Sequence, residues 1–186
     1  MPAASYLQYA YLSYFSSPSS ERPLYRAMSR LQPASIVEMG VAMGRRTTRL
    51  IETALRFRES DSGHFTGIDL FEARPSHSPG MTLKRAHRTL GSLEAEIRLV
   101  PGDPLSALAR TANSLTETDL IVIAADQDPD SLAEAWLYVP RMIHAESMVF
   151  LEESTRGSVR TSFRQLTPIE INNLAIAAGR QIRRAA

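Results

Sequence analysis

The 186 residues, 44% hydrophobic and 22% charged, suffice for one well-buried core and fall short of two ordinary domains. Twenty-one Lys and Arg against 20 Asp and Glu leave a formal net charge of +1, which removes the electrostatic case for nucleic acid as the main partner and favours small molecules. With no cysteine, disulfides, thiolate nucleophiles and cysteine-ligated zinc are excluded, and a reducing, cytoplasmic compartment is permitted.

Residues 6–15 form an aromatic, uncharged stretch that lacks a basic leader and is too short to span a bilayer, so it reads as a helix and not as a membrane anchor. Its Tyr6, Tyr9, Tyr14 and Phe15 combine apolar area with polar tips, as suits packing on the sheet, closing over a pocket or meeting a second copy of the chain. A Ser and Pro segment at 16–20 breaks the pattern, and 22–31 reads as a second helix. Residues 1–32 thus make a helical cap, followed by a core over 33–153 and a C-terminal loop and helix over 154–186, in one unit.

Strands and helices then alternate. Residues 36–39 read as a buried strand, and Thr47, Ile51, Ala54, Leu55 and Phe57 recur at helical spacing behind it. Strands at 64–70, 96–100, 120–125 and 147–151 are separated by helices at 82–90, 104–112 and 131–142. The run 120–125 is the most apolar and is placed centrally, because strands covered on both faces lose their polar alternation. This alternation predicts an α/β, Rossmann-like, doubly wound and mostly parallel sheet of five or six strands with helices on both faces. Ligands of such sheets sit beyond the carboxyl ends of the strands.

Those ends carry Glu38 with Gly40, Asp69, Gly102 with Asp103, Asp126, and Glu152 with Glu153. Gly40 and Gly44 lie where strand turns into helix, so backbone can approach a ligand closely. A dinucleotide turn of the Gly-x-Gly-x-x-Gly type needs glycine where Ala42 and Arg45 stand, and no Gly-Lys-Ser/Thr phosphate loop is present. Arg45 and Arg46 at a helix N-terminus oppose the macrodipole; either an anion lies nearby or both reach into solvent. The four histidines show no metal-ligand spacing, and no metal ligands are assigned.

Glu38-x-Gly40-x-x-x-Gly44 after the first strand, Thr47 and Thr48 in the next helix, and Asp69 closing the second strand resemble class I methyltransferases dependent on S-adenosylmethionine, small bacterial ones in particular. The likeness covers residues 24–153 and implies the strand order 3-2-1-4-5. It implies that Gly40, Ala42 and Gly44 pass backbone beside the methionine part of the cofactor, that Glu38 orients its ammonium, and that Asp69 accepts bonds from both ribose hydroxyls. It further implies that Gly102 and Asp103 lie by the adenine, and that a small-molecule acceptor is methylated at oxygen or nitrogen. The acceptor pocket is expected between the N-terminal tyrosines and the loop 71–81.

Two departures qualify the likeness. Where metal-dependent relatives carry a carboxylate directly after the fourth strand, this chain reads Ala124, Ala125, Asp126, Gln127, which leaves Asp126 as the candidate catalytic base and Glu152 and Glu153 as matches in charge only. Ala124, Ala125 and Gln127, together with a shortened tail, keep open a degenerate relative with a binding or structural role. The tail is also short: a polar loop at 154–165, one helix at 167–178 started by Thr167, Pro168 and Glu170, and room for a short edge strand only at 181–185. An exposed sheet edge would then need a cover, for which a second copy of the chain is the candidate.

Overall fold

The structure, a computed structural model, describes residues 5–58, 63–154 and 161–185. Its elements run α1 (Tyr6–Tyr14), α2 (Arg22–Leu31), β1 (Ser35–Met39), α3 (Arg45–Arg56), β2 (Gly63–Asp69), α4 (Leu83–Leu90), β3 (Ala95–Pro101), α5 (Pro104–Thr111), β4 (Thr118–Ile123), α6 (Pro129–Ala135), β5 (Ile143–Ser154), β6 (Thr161–Leu166) and α7 (Pro168–Ala185). The strands form one sheet in the order β3-β2-β1-β4-β5-β6. Neighbours are parallel throughout except β6, which returns antiparallel to β5.

Alternation along each strand divides the interior in two. Ile36, Phe65, Leu99, Leu120, Val122 and Phe150 face one side, where α1, α2, α3 and α4 close over them through residues such as Leu12, Leu24, Met28, Leu50 and Leu90. Val37, Met39, Ile68, Ile121, Ile123 and Val149 face the other, under Leu108 of α5, Ala135 of α6 and Ile171 of α7. Complete burial of a side chain of this size contributes about 1.5–3 kcal/mol, so the two layers supply most of the drive to fold. Every residue of β4 from Leu120 to Ile123 is fully buried, as its apolar run predicts for a strand covered on both faces.

Three features of the C-terminal half differ from the sequence reading. The segment expected as a loop over 154–165 contains β6, with residues 155–160 outside the described residues. The expected strand at 181–185 is instead the last turn of α7, which runs 18 residues. Helix 131–142 stops at Ala135, and a 3-10 turn over Val139–Arg141 carries Pro140, whose missing N–H and ring bulk cannot continue an α-helix.

Three backbone bonds align the loops at the carboxyl edge. Gly40 N donates to the Ile68 carbonyl at 2.8 Å, Gly102 N to that of Asp69 at 2.9 Å and Ala124 N to that of Met39 at 2.9 Å. The turns after β1, β3 and β4 are therefore held in line, each of these strands handing its first loop residue to a neighbour.

Candidate functional site

Glu38 sits at the carboxyl end of β1 with no exposed surface. Such a carboxylate needs partners, since burial disfavours its charge. α3 supplies them: Arg46 Nε donates to Oε1 at 2.7 Å and Thr47 Oγ1 to Oε2 at 2.5 Å. Arg46 also donates to the Gly40 carbonyl at 2.8 Å, stands 3.6 Å from Glu152 and lies over the Phe163 ring. Burial pushes the Glu38 carboxyl up, against the pull of Arg46 and Thr47. Of the two roles open to the helix-start arginines, Arg45 takes the solvated one; Arg46 turns inward, its anion being the protein's own Glu38.

The turn over residues 40–44 has left-handed backbone at Gly40 (φ +97°), Ala42 (φ +49°) and Gly44 (φ +74°). Only glycine takes such angles without strain, which accounts for two of the three residues. The faces these glycines leave open are covered from within. A Cβ on Gly40 would lie 2.6 Å from Gln127 Nε2 and 3.0 Å from Asp126 Oδ1, and one on Gly44 would lie 2.6 Å from the methyl of Met81.

Asp69, 3% exposed, closes β2. Its Oδ1 accepts from Phe71 N at 2.9 Å and Arg74 Nε at 2.6 Å; its Oδ2 accepts from Ala42 N at 2.8 Å and Arg74 Nη2 at 2.6 Å. Burial would raise the carboxyl, but the Arg74 and backbone donors outweigh it and hold the group below its ordinary range. The same donor geometry keeps the Arg74 guanidinium firmly protonated, with Asp69 the first cause. Arg74 Nη1 continues to Asp126 Oδ2 at 2.7 Å and Ser78 Oγ at 3.0 Å. Asp126 is half exposed on the far side of that bridge, where Gln127 Nε2 donates to it at 2.8 Å.

Gly102 (φ +139°) leads into Asp103, the N-cap of α5. Asp103 accepts from Ser106 N at 3.0 Å and from the Ser106 and Ser131 hydroxyls, tying α5 to the start of α6. Slight burial raises its carboxyl, and the Ser106 and Ser131 donors override this to bring it to about 2. Asp103, Asp126, Arg74, Leu70 and His77 line one crevice of about 630 Å³ between the β2, β3 and β4 loops, a size that accommodates a drug-sized ligand. Glu38, Gly40, Ala42, Gly44, Asp69, Gly102, Asp103 and Asp126 therefore gather along one edge. Among the described residues no group of three or more His, Asp or Glu side chains is placed to hold a metal ion.

Arg74 and Met81 carry no individual signal in the sequence beyond lying in the loop 71–81 expected to border the acceptor pocket. The N-terminal tyrosines are a correction in the other direction. Tyr9 packs edge-on against Phe57 and Tyr6 under Arg56, at the end of α3 remote from Gly44. Twelve helical residues separate those contacts from the glycine turn, roughly 18 Å at 1.5 Å per residue. Tyr6 and Tyr9 therefore do not wall the crevice.

Neither a protein-family model nor a curated protein sequence matches the chain. Solved structures do. A putative O-methyltransferase from Klebsiella pneumoniae is 15% identical with a TM-score of 0.57, the match covering 91% of this chain and 70% of that one. A TehB-like SAM-dependent methyltransferase from Corynebacterium glutamicum is 20% identical with a TM-score of 0.51, over 91% of this chain and 77% of the other. An O-methyltransferase from Bacillus cereus in complex with SAH is 17% identical with a TM-score of 0.55, over 75% and 58%. With its sheet order, its glycine turn after β1 and these neighbours, the chain has the fold of the class I S-adenosylmethionine-dependent methyltransferases.

Proposed function

We propose that this chain is an S-adenosylmethionine-dependent methyltransferase acting at oxygen or nitrogen of a small-molecule acceptor. The observation that carries the reading is the position of Asp69: a buried carboxylate at the carboxyl end of β2, bonded to the backbone of the glycine turn and opening through Arg74 onto a crevice. The Bacillus cereus neighbour, crystallised with SAH, and the O-methyltransferase TomG from Streptomyces achromogenes, in complex with SAM at a TM-score of 0.54, support it.

The side chains as they stand do not accept the cofactor. All four lone-pair positions of Asp69 are taken, and the open faces of Gly40 and Gly44 are covered. Three of the coverings are ends of flexible side chains, Arg74, Gln127 and Met81; the Ala124 Cβ, 2.6 Å from where a Cβ on Gly40 would lie, is fixed at the end of β4. Methyl transfer from a sulfonium asks the protein mainly for alignment and exclusion of water, with a base only to take the acceptor proton. Asp126 is the residue we assign to that proton, and it must first leave Arg74.

Calorimetric titration with S-adenosylmethionine, on the natural chain and on Asp69→Ala, tests the reading. Heat of binding that the substitution abolishes is the expected result; no heat from either protein overturns it. Release of S-adenosylhomocysteine over a panel of phenols, catechols and amines then tests transfer, and binding without turnover to any acceptor would leave a protein that holds the cofactor without using it.

A further inference from the structure

We propose that Arg74 is an internal latch: its guanidinium fills the hydrogen-bonding position at Asp69 that a ligand's vicinal hydroxyls require, so a nucleoside enters by withdrawal of Arg74. This inference rests on the cofactor reading above. A carboxylate offers four in-plane acceptor positions, and at Asp69 two belong permanently to backbone, those facing Ala42 and Phe71. The other two receive Nε and Nη2 of Arg74, both at 2.6 Å. A planar fork of two donors is what a vicinal diol also presents, so the guanidinium and a ribose compete for the same pair of oxygens.

The latch is built into the loop between β2 and α4. Ser78 accepts from Nη1, and the stem of Arg74 lies over Gly80, where a Cβ would meet Cδ at 2.5 Å. At its two ends the loop is pinned to the frame: Phe71 turns through φ +47°, and Met81 N donates to the Ala42 carbonyl at 3.0 Å. Arg74 also neutralises Asp126, at 2.7 Å. One displacement thus frees the sugar anchor and the proposed base together, and Asp126 becomes available only when a ligand has replaced the guanidinium at Asp69.

Binding of S-adenosylhomocysteine to the natural chain, Arg74→Ala and Gly80→Ala tests this, with an analogue lacking both ribose hydroxyls as the control and thermal unfolding to verify the fold. Arg74→Ala is expected to bind the natural ligand at least tenfold more tightly, with no gain for the dideoxy analogue. Gly80→Ala, which keeps the arginine and crowds its stem, is expected to shift affinity in the same direction and carries the test if Arg74→Ala does not fold. Equal affinities for natural and substituted proteins overturn the latch and leave the cofactor reading standing. Weaker binding by Arg74→Ala overturns it in favour of a direct ligand contact. No binding by any of the three proteins removes the cofactor reading and the latch with it.

Discussion

Glu38 and Arg46 show how a buried charge is held at the heart of the candidate site. The carboxylate has no exposure and the guanidinium little, so removing either partner strands the other. Arg46→Ala should therefore lower stability by about 3–5 kcal/mol. Glu38→Gln combined with Arg46→Met should recover most of that loss, and urea unfolding of the single and double variants measures both. Asp69 gives a pH signature. Its carboxyl is held below the ordinary value by Arg74 and backbone donors, so the stability it lends is fully present above about pH 4, the range where an unfolded aspartate ionises, and is lost as pH falls through the lower folded value. Acid unfolding curves should be less steep below pH 4 for Asp69→Asn than for the natural chain; identical slopes would remove Asp69 as the source. The types and positions of these acidic residues were legible in the sequence. The inward turn of Arg46 was flagged only by its conflict with the helix dipole, and Arg74 not at all, because which partner a long side chain chooses depends on loops distant in sequence.

The strands and helices that follow an obvious period or a continuous apolar run were legible; β6 and the far ends of α6 and α7 were not. β6 reads Thr161, Ser162, Phe163, Arg164, Gln165, Leu166, with no alternation of apolar and polar residues. The structure supplies the reason: Phe163 joins one core and Leu166 the other, three residues apart and so on opposite faces. α6 was overextended because Trp136, Val139 and Met142 keep helical spacing across Pro140 while the backbone does not. The start of α7 was legible for a local reason. Thr167 Oγ1 accepts from Glu170 N at 3.3 Å while Glu170 Oε2 accepts from Thr167 N at 2.8 Å, a reciprocal cap whose chemistry lies within four residues. Thr167→Ala should cost about 1 kcal/mol in urea unfolding. Its far end differs from the short edge strand expected at 181–185, since the cations Arg183 and Arg184 in the last turn favour a helix.

The location of the ligand edge follows from the alternation of strands and helices, and the order of the first five strands from the resemblance of the glycine turn and Asp69; the place of β6 was not legible. What the alternation cannot convey is whether the edge stands open, which three side chains from two loops decide. The sheet itself has a further consequence. Among the described residues the buried side chains form two separate clusters on either face of the strands, so damage on one face has few routes to the other. Ile51→Ala under α3 and Leu108→Ala under α5 should each cost about 2–5 kcal/mol, and the double variant should equal their sum within about 0.5 kcal/mol. A departure larger than that in chemical denaturation would mean the strands transmit strain. If the sum holds, the sheet works as a bulkhead, and the layer of α5, α6 and α7 becomes ground on which the protein can be hardened or marked with reporters while Glu38 and Arg46 on the opposite side stay undisturbed.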